Sequence, residues 1–352
     1  MKIKIILICL TMITVITGNI CLDAESSFVG HTEKNVTEVY DLEGNYIFST
    51  AMGVVPDDRY ISQDNIEYVV REVEDDRAIA EKKGEINLIE DEATAMPPLA
   101  VEDKSTVGIY HTHNAESYVP EIDANGAGDV HEIGKVFKRS LEQNAVNVIH
   151  SENMHIPHDG GAYSRSKHTV KEILEHNPDA IFDIHRDAIP DENEYIYEEN
   201  GRKLVQTRLV IGRQNPNKDV NEEFARHLKA VSDERGGLIR DIFYGQGEYN
   251  QSLHPRNILL EVGTFGNNKE EAKVTATRLG EKVSLVLYGD RGEPISQAGE
   301  QRSAWNTIAW ILGIFIAGTL GYLYINERSW EGVMERLREF FNREIIDRFN
   351  NR

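Results

Sequence analysis

Cysteine is almost absent from this chain of 352 residues. The two cysteines, Cys9 and Cys21, lie in an apolar segment at the N-terminus, and none follows position 21. This excludes a disulfide framework from the rest of the chain, and also a metal site built on thiolates. Any metal site there must use histidine and carboxylate ligands.

Basic residues are scarce as well. The chain has 38 Lys and Arg residues against 59 Asp and Glu residues, which gives a formal net charge of −21 at pH 7. A nucleic-acid-binding protein needs a basic surface to contact phosphates. We therefore expect no nucleic-acid partner and a protein that repels anionic polymers at long range.

Charged residues are missing from two long apolar segments. The first follows Lys2 and Lys4 and lies within residues 1–25, where it predicts a signal peptide or a signal anchor. The second, residues 304–326, is long enough to cross a bilayer as a helix and carries aromatic residues near its ends. A buried core helix is the alternative, but such helices seldom run this long without a charge. We therefore expect a transmembrane helix over 304–326.

The basic residues beside these segments predict how the chain is oriented. Two lysines precede the first segment, and six arginines follow the second. Under the positive-inside rule both ends are cytoplasmic, so the chain would be embedded in the cell membrane with its middle part outside the cytoplasm. The cytoplasmic tail, residues 327–352, has apolar residues at helical spacing. It would be an amphipathic helix that lies on the inner membrane face, pairs with a partner helix or is solvated.

Between the membrane segments the sequence predicts two structured regions and two linkers. Residues 26–83 contain β-prone runs separated by turn signals and predict a small β-rich unit. Residues 84–104, which lose periodicity, and residues 291–303 are expected linkers. From 105 to 290, apolar strands alternate with helices. This predicts an α/β domain with a mostly parallel sheet and helices on both faces.

Three of the predicted strands run into residues of the kinds that bind metals or transfer protons. TVGIY is followed by His111, His113 and Glu116, AIFDI by His185, and NILL by Glu261. In an α/β sheet the carboxyl ends of neighbouring strands meet at one edge, where ligands bind. We therefore expect these side chains to lie close together although they are far apart in sequence.

A catalytic zinc ion would explain this set of residues. Such an ion takes three protein ligands, commonly histidine and carboxylate, and leaves a position for water. His113, Glu116 and His185 are the expected ligands. Glu261 is the expected general base, which returns a proton to the leaving amine.

Alternatives remain open for several neighbouring residues. His111 could replace or supplement Glu116, and Glu132 is a competing carboxylate. Arg186 would hold a substrate carboxylate or oxyanion, or else pair with Asp187. Apart from His155, the remaining histidines are expected at the surface: His31, His131, His150, His158, His168, His176, His227 and His254.

Several motifs resemble those of a known family. YHTHNAESY, GAYSRS, FDIHRDAIP and ILLEVGT occur in this order downstream of YISQDNIEYVV, and together they resemble the stage II sporulation protein P family. The resemblance covers roughly residues 36–290. It implies a cell-wall hydrolase of endospore-forming bacteria that acts at the septal membrane during engulfment, with stage II sporulation proteins D and M as partners.

The resemblance also implies a fold like that of the zinc amidases and zinc carboxypeptidases. The implied activity is that of a Zn²⁺-dependent N-acetylmuramoyl-L-alanine amidase acting on peptidoglycan, with a companion endopeptidase activity on peptide crosslinks. By the motif match, His113, Glu116 and His185 would hold zinc and Glu261 would be catalytic. The second membrane segment and the arginine-rich tail differ from the family pattern of a single N-terminal anchor. A paralogue with the same chemistry and another use is therefore an alternative.

Two other functions fit the same residues. One is a metallocarboxypeptidase that trims wall peptides, and the other is a non-catalytic scaffold that binds peptidoglycan. Degenerate binding relatives usually lose a ligand or the base, whereas all four positions are occupied here. A hydrolase is therefore the expected function.

Overall fold

The structure is a computed structural model that describes residues 36–89, 105–199, 201–289 and 329–340. The expected signal segment, the second linker and the transmembrane segment lie outside these ranges, together with most of the first linker and part of the tail. No helix within the described ranges has the length and apolar composition needed to cross a bilayer.

Eleven strands form one continuous sheet. In chain order they are β1 (Thr37–Asp41), β2 (Tyr46–Thr50), β3 (Arg59–Ile61), β4 (Ile66–Glu74), β5 (Arg77–Glu85), β6 (Thr106–Tyr110), β7 (Asn147–His150), β8 (Ala180–Asp187), β11 (Thr207–Gly212), β12 (Ile239–Gly245) and β13 (Asn257–Thr264). Their spatial order is β2-β1-β5-β4-β3-β12-β11-β13-β8-β6-β7. A separate two-stranded sheet consists of β9 (Ile196–Glu199) and β10 (Arg202–Val205).

Helices pack on both faces of the large sheet, as predicted. They are α1 (Val130–Gln143), α2 (Ala162–Leu174), α3 (Lys218–Glu234) and α4 (Lys269–Tyr288). Successive strand residues project to opposite faces, so neighbouring residues of β8 show which face each helix covers. Residues of α1, α3 and α4 share a core with Phe182, whereas α2 packs with Ile181. In the second unit of the chain, residues 292–352, one helix is described, α5 (Trp330–Phe340), inside the expected amphipathic tail.

Within residues 105–290 the sheet is mostly parallel, as predicted, although the eleven-stranded sheet as a whole is mixed. The neighbours β7, β6, β8 and β13 are parallel, but β11 is antiparallel to β13. Strands joined through α1, α2 or α3 keep their direction, because a parallel connection needs a crossover, usually a helix. The connections from β8 to β11 and from β12 to β13 contain no α-helix, and both reverse the chain direction.

β12 is a strand that the sequence pattern does not predict, because Arg240 and Asp241 interrupt its apolar residues. Both charges have partners: Asp241 lies 2.7 Å from Arg208, and Arg240 lies 2.9 Å from Glu194. β12 also pairs with β3, so the strands of the expected β-rich unit continue the main sheet.

The sequence 195–212 predicts a hairpin that turns at Asn200-Gly201. β9 and β10 form this antiparallel hairpin, and Gly201 has the positive φ of 75° that such a turn favours. The rest of the run, β11, leaves the hairpin after Gln206 and enters the main sheet beside β13.

A row of ionisable residues crosses four neighbouring strands of the large sheet. His185 in β8 pairs in register with Glu261 in β13. Glu261 pairs in turn with Arg208 in β11, and Arg208 pairs with Asp241 in β12. All four residues are fully buried. Since register-paired residues project to the same face, these side chains lie side by side on the face that α2 covers. We call them the buried charged row.

Arg208 connects the buried charged row to the N-terminal strands. Its guanidinium donates to Asp241 Oδ1 at 2.7 Å and to Asp187 Oδ2 at 3.1 Å. It also donates to the carbonyl of Ser49 in β2 at 3.0 Å. Removing this cation would leave buried carboxylates without enough positive charge around them, which is costly in a dry interior.

We expect Arg208→Ala to lower the free energy of unfolding by about 3–5 kcal/mol, the usual effect of removing one partner from a buried ion pair. Arg71→Ala is the matched control, because Arg71 pairs with Glu81 at 2.8 Å on the surface and such pairs contribute at most about 1 kcal/mol. Urea unfolding of the detergent-solubilised chain, followed by far-UV circular dichroism, measures both changes. Equal effects of the two substitutions would contradict the assigned role of Arg208.

Candidate metal centre

His113 and Glu116 face each other because the chain turns sharply after β6. The turn is closed by the amide of Glu116, which donates to the carbonyl of His113 at 3.1 Å. His185 reaches the same place from the end of β8, the strand next to β6. One turn and one strand end therefore bring the three predicted ligands together.

The distances among these three side chains suit a single metal ion. His113 Nδ1 lies 3.2 Å and His185 Nδ1 lies 3.4 Å from Glu116 Oε1. Two ligands bound to tetrahedral zinc at about 2.0–2.1 Å are about 3.3–3.4 Å apart. All three residues are at most 1% exposed. Two imidazoles and a carboxylate are a ligand set that zinc accepts, so the site fits such an ion.

Asp183 and Thr112 hold His185 in place. Asp183 Oδ1 lies 3.0 Å from His185 Nε2, on the side of the ring opposite Glu116. Thr112 donates to Asp183 through its amide at 2.8 Å and through its hydroxyl at 2.6 Å. A carboxylate beside Nε2 favours the tautomer with a proton there and leaves Nδ1 as the ligand nitrogen. Asp183 has no role predicted from the sequence, although its position two residues before His185 places it on the same face of β8.

The local charges keep Glu116 ionised. Burial alone would raise the pKa of Glu116, but His185, His113 and Arg186 outweigh it and hold that pKa well below its ordinary value. Burial alone would lower the pKa of His185, but Asp183 and Glu116 raise it well above its ordinary value. The centre therefore has an ionised carboxylate, and a cation that binds there takes the place of the Nδ1 proton on His185.

Glu261 lies beside this centre. It is paired in register with His185, and neighbouring strands are about 4.8 Å apart. The regular register ends just after Glu261, where Gly263 has a φ of 70°. A Cβ on Gly263 would lie 2.5 Å from Val205 Cγ1 and 2.7 Å from Asn267 Oδ1, so the bend that follows Glu261 requires glycine.

His158 and Tyr163 cover the centre, and sequence reasoning assigns no role to either. The ring of His158 is 4.2 Å from that of His113, and His158 Nε2 lies 3.8 Å from Glu116 Oε1. The ring of Tyr163 is 5.4 Å from that of His113. The available signal is their position within HDGGAYSRS, which contains one of the motifs that carry the family resemblance. Both rings therefore pack against the predicted ligands.

The histidines expected at the surface include several that are not. That expectation is wrong for His158, whose side chain is 14% exposed, and for His131, which is 4% exposed. His150 is half-buried. His155, the expected exception, is buried, with its ring nitrogens 2.8 Å from the carbonyl of His111 and from Thr169 Oγ1. These positions depend on tertiary packing that local sequence does not show.

The structure also places the alternative ligands. His111 lies in a separate cluster with His131 and His150 instead of beside Glu116. Glu132 is at the surface, 2.7 Å from Lys273 and 3.4 Å from Lys269. Neither residue therefore competes for the centre formed by His113, Glu116 and His185.

Arg186 has a structural position. It is fully buried, and its guanidinium donates to the carbonyls of Ser117 at 3.0 Å and Ile122 at 2.8 Å. Asp187 instead accepts hydrogen bonds from Tyr195 at 2.8 Å and Arg208 at 3.1 Å. Arg186 therefore fixes the loop that follows Glu116.

Comparisons with known sequences point to one family. The model of the family described as stage II sporulation protein P matches residues 30–284. The stage II sporulation protein P of Bacillus subtilis (strain 168) is 29% identical over 256 residues. That match covers 64% of this chain and 63% of the relative, so the chain spans less than two thirds of the relative's length.

Solved structures give weaker likenesses. The N-acetylmuramyl-L-alanine amidase Ami1 from Mycobacterium abscessus is 14% identical with a TM-score of 0.36, covering 52% of this chain and 96% of that one. The CwlD amidase from Clostridioides difficile, solved in complex with the GerS lipoprotein, is 13% identical with a TM-score of 0.31. That likeness covers 53% of this chain and 95% of the amidase.

We expect Asp183→Asn to weaken zinc binding at this centre by about 10–100-fold, the usual effect of losing a carboxylate behind a ligand histidine. Asp219→Asn, on the exposed side of α3, is the control and should leave zinc affinity unchanged. Competition with a chromophoric chelator measures the affinity. An unchanged affinity in Asp183→Asn would contradict the assignment of His185 as a ligand.

Proposed function

Because the chain belongs to the stage II sporulation protein P family, we propose that it is a zinc-dependent peptidoglycan hydrolase. The bond cleaved is the amide between N-acetylmuramic acid and the L-alanine of the stem peptide. One observation carries this proposal: His113, Glu116 and His185 form a zinc-sized ligand set, and Glu261 lies on the strand beside it.

His113, Glu116 and His185 would hold the zinc ion. When bound, zinc supplies a Lewis acid that polarises the scissile carbonyl and makes water a better nucleophile at neutral pH. Asp183 keeps the ring of His185 in the orientation that presents Nδ1 to the ion. The amide of Arg186 donates to Glu116 Oε2 at 3.0 Å, which leaves Oε1 facing both imidazoles.

Glu261 would move the proton. Hydrolysis forms a bond between the water oxygen and the carbonyl carbon and breaks the carbon–nitrogen bond. The water gives up a proton, and the leaving amine nitrogen needs one. A carboxylate next to the reacting atoms accepts the first and supplies the second. Glu261, which lies between His185 and Arg208 in the buried charged row, would be that carboxylate.

Substrate must displace the cover of the site. The predicted ligands and Glu261 are at most 1% exposed, whereas the side chain of His158 is 14% exposed. His158 Nδ1 lies 3.3 Å from Asp123 Oδ1, which joins the segment before α2 to the loop after Glu116. A movement of His158 away from Asp123 would open the site to a glycan strand.

The remaining parts of the proposal follow the family resemblance and the apolar segments. The chain would be anchored in the cell membrane with its catalytic part outside the cytoplasm. Basic residues precede the first apolar segment and follow the second, which places both ends of the chain in the cytoplasm. It would act on septal peptidoglycan during sporulation, with stage II sporulation proteins D and M as partners. A companion activity on peptide crosslinks is part of the same proposal.

A carboxypeptidase is the closest rival, and the position of Arg186 argues against it. A carboxypeptidase must bind the free carboxylate at the end of its substrate, for which arginine is the usual partner. Here Arg186, the arginine nearest the ligands in sequence, donates to the carbonyls of Ser117 and Ile122.

We expect Glu261→Gln to lower hydrolysis of purified peptidoglycan by about 10²–10⁴-fold, because the amide cannot accept the proton. Zinc content should stay unchanged, since Glu261 is not a ligand. Glu270→Gln is the matched control at an exposed position of α4, and it should keep full activity. Mass spectrometry of the digested wall measures the products.

The products separate the proposed reaction from its rivals. The amidase releases whole stem peptides and leaves glycan strands without peptide. Peptides shortened by one residue would instead identify a carboxypeptidase. No released product from the zinc-loaded wild-type chain would contradict the enzyme and favour a peptidoglycan-binding scaffold.

A further inference from the structure

A second cluster of histidines lies on the other face of the sheet. His111 follows β6, His131 is in the first turn of α1, and His150 is the last residue of β7. β6, α1 and β7 are consecutive, and β6 and β7 are parallel neighbours. The carboxyl ends of both strands therefore meet the beginning of α1, and the three imidazoles come together there.

The three rings are close enough to share one ion. His111 Nε2 lies 2.9 Å from His150 Nε2, and the ring centroids of His111 and His131 are 4.4 Å apart. One ring nitrogen from each residue lies within 4.8 Å of the others. His111 Nδ1 is 3.0 Å from the carbonyl of Ile184. Since a carbonyl can only accept, Nδ1 carries the hydrogen, and Nε2 of the neutral ring has a lone pair.

His131 supplies an independent sign of a ligand. The residue is 4% exposed, and its Nε2 has no hydrogen-bond partner among the described residues. Most buried side-chain nitrogens have a partner, because an unsatisfied one loses its hydration without compensation. An ion bound between the rings would provide that compensation.

Gly134 keeps the space between these nitrogens open. It lies inside α1, one turn after His131, where glycine lowers helix stability relative to alanine. A Cβ at this position would lie 2.7 Å from His111 Nε2 and 2.9 Å from His150 Nε2. The glycine therefore leaves room at the point where the two nitrogens converge.

We propose that His111, His131 and His150 bind a divalent transition-metal ion, with zinc as the expected occupant, at a site separate from the His113–Glu116–His185 centre. Imidazole ligands favour zinc, copper and nickel over magnesium and calcium. Two nitrogens on one tetrahedral zinc are about 3.3 Å apart, so small ring rotations suffice to complete the site. A water would supply the fourth ligand.

The proposed ion would be structural. It would tie β6, α1 and β7 together at His111, directly before the turn that carries His113 and Glu116. It would therefore brace that turn from the face of the sheet opposite the first centre.

The test counts zinc in the detergent-solubilised full chain, which is stripped with chelator, reloaded with Zn²⁺ alone, desalted and analysed by inductively coupled plasma mass spectrometry. We expect two zinc ions per wild-type chain and one in His131→Ala. His176→Ala, at an exposed position after α2, is the control and should keep two. The double variant His113→Ala/His185→Ala should keep one, and adding His131→Ala to it should leave none.

Gly134→Ala separates ion binding from a folding defect. It retains all three histidines, and its methyl group would lie against the ring nitrogens of His111 and His150, where the ion would bind. We expect it to lose one zinc ion while its circular dichroism spectrum stays that of the wild type. In the double variant, Zn²⁺ should raise the melting temperature, and Gly134→Ala should abolish that rise.

Three results would overturn the proposal. The first is unchanged zinc content in both His131→Ala and Gly134→Ala. The second is an equal loss from His176→Ala, which would indicate adventitious zinc only. The third is a double variant that binds no zinc although it is folded. Failure of the first centre gives a different pattern, because His131→Ala would then reduce the count from one to none.

Discussion

The need to compensate charges buried inside the central sheet governs this structure. His185, Glu261, Arg208 and Asp241 occupy one row across four strands, and each is shielded from water. Such charges persist only with opposite charges and hydrogen bonds around them. Arg208 meets this need with Asp241 and Asp187 and also binds the carbonyl of Ser49. Compensation of buried charge therefore joins the N-terminal strands to the domain through Arg208. The row that Arg208 belongs to also contains Glu261, which lies beside the predicted metal ligands.

The turn after β6 places neighbouring residues in two different histidine clusters. His111 and His113 are two positions apart, yet His111 lies with His131 and His150, whereas His113 lies with Glu116 and His185. Thr112, between them, is fixed by two hydrogen bonds to Asp183 in β8. Because Asp183 also contacts His185, one carboxylate orients both the turn and a predicted ligand. A change in this turn would therefore affect both histidine clusters.

Sequence reasoning succeeds where a local pattern has one structural meaning. Apolar runs that end in His113, His185 and Glu261 predict a shared edge, because carboxyl ends of neighbouring strands meet there. It fails where distant residues decide the outcome. β12 is not predicted, because the charged residues Arg240 and Asp241 interrupt its apolar pattern. Their charges are compensated by Glu194 and Arg208, which belong to other elements. Strand direction follows from which connections contain a crossover helix, and the burial of His131 and His158 follows from packing that no local spacing encodes.

The most direct test is anomalous X-ray scattering at the zinc absorption edge from crystals of the zinc-loaded chain. The expected result is a peak within about 2.0–2.2 Å of His113, Glu116 and His185, with the carboxylate of Glu261 close enough to share one water with the ion. A map with no peak among these three side chains would contradict the proposed hydrolase. A Glu261 carboxylate that points away from the peak would also contradict it.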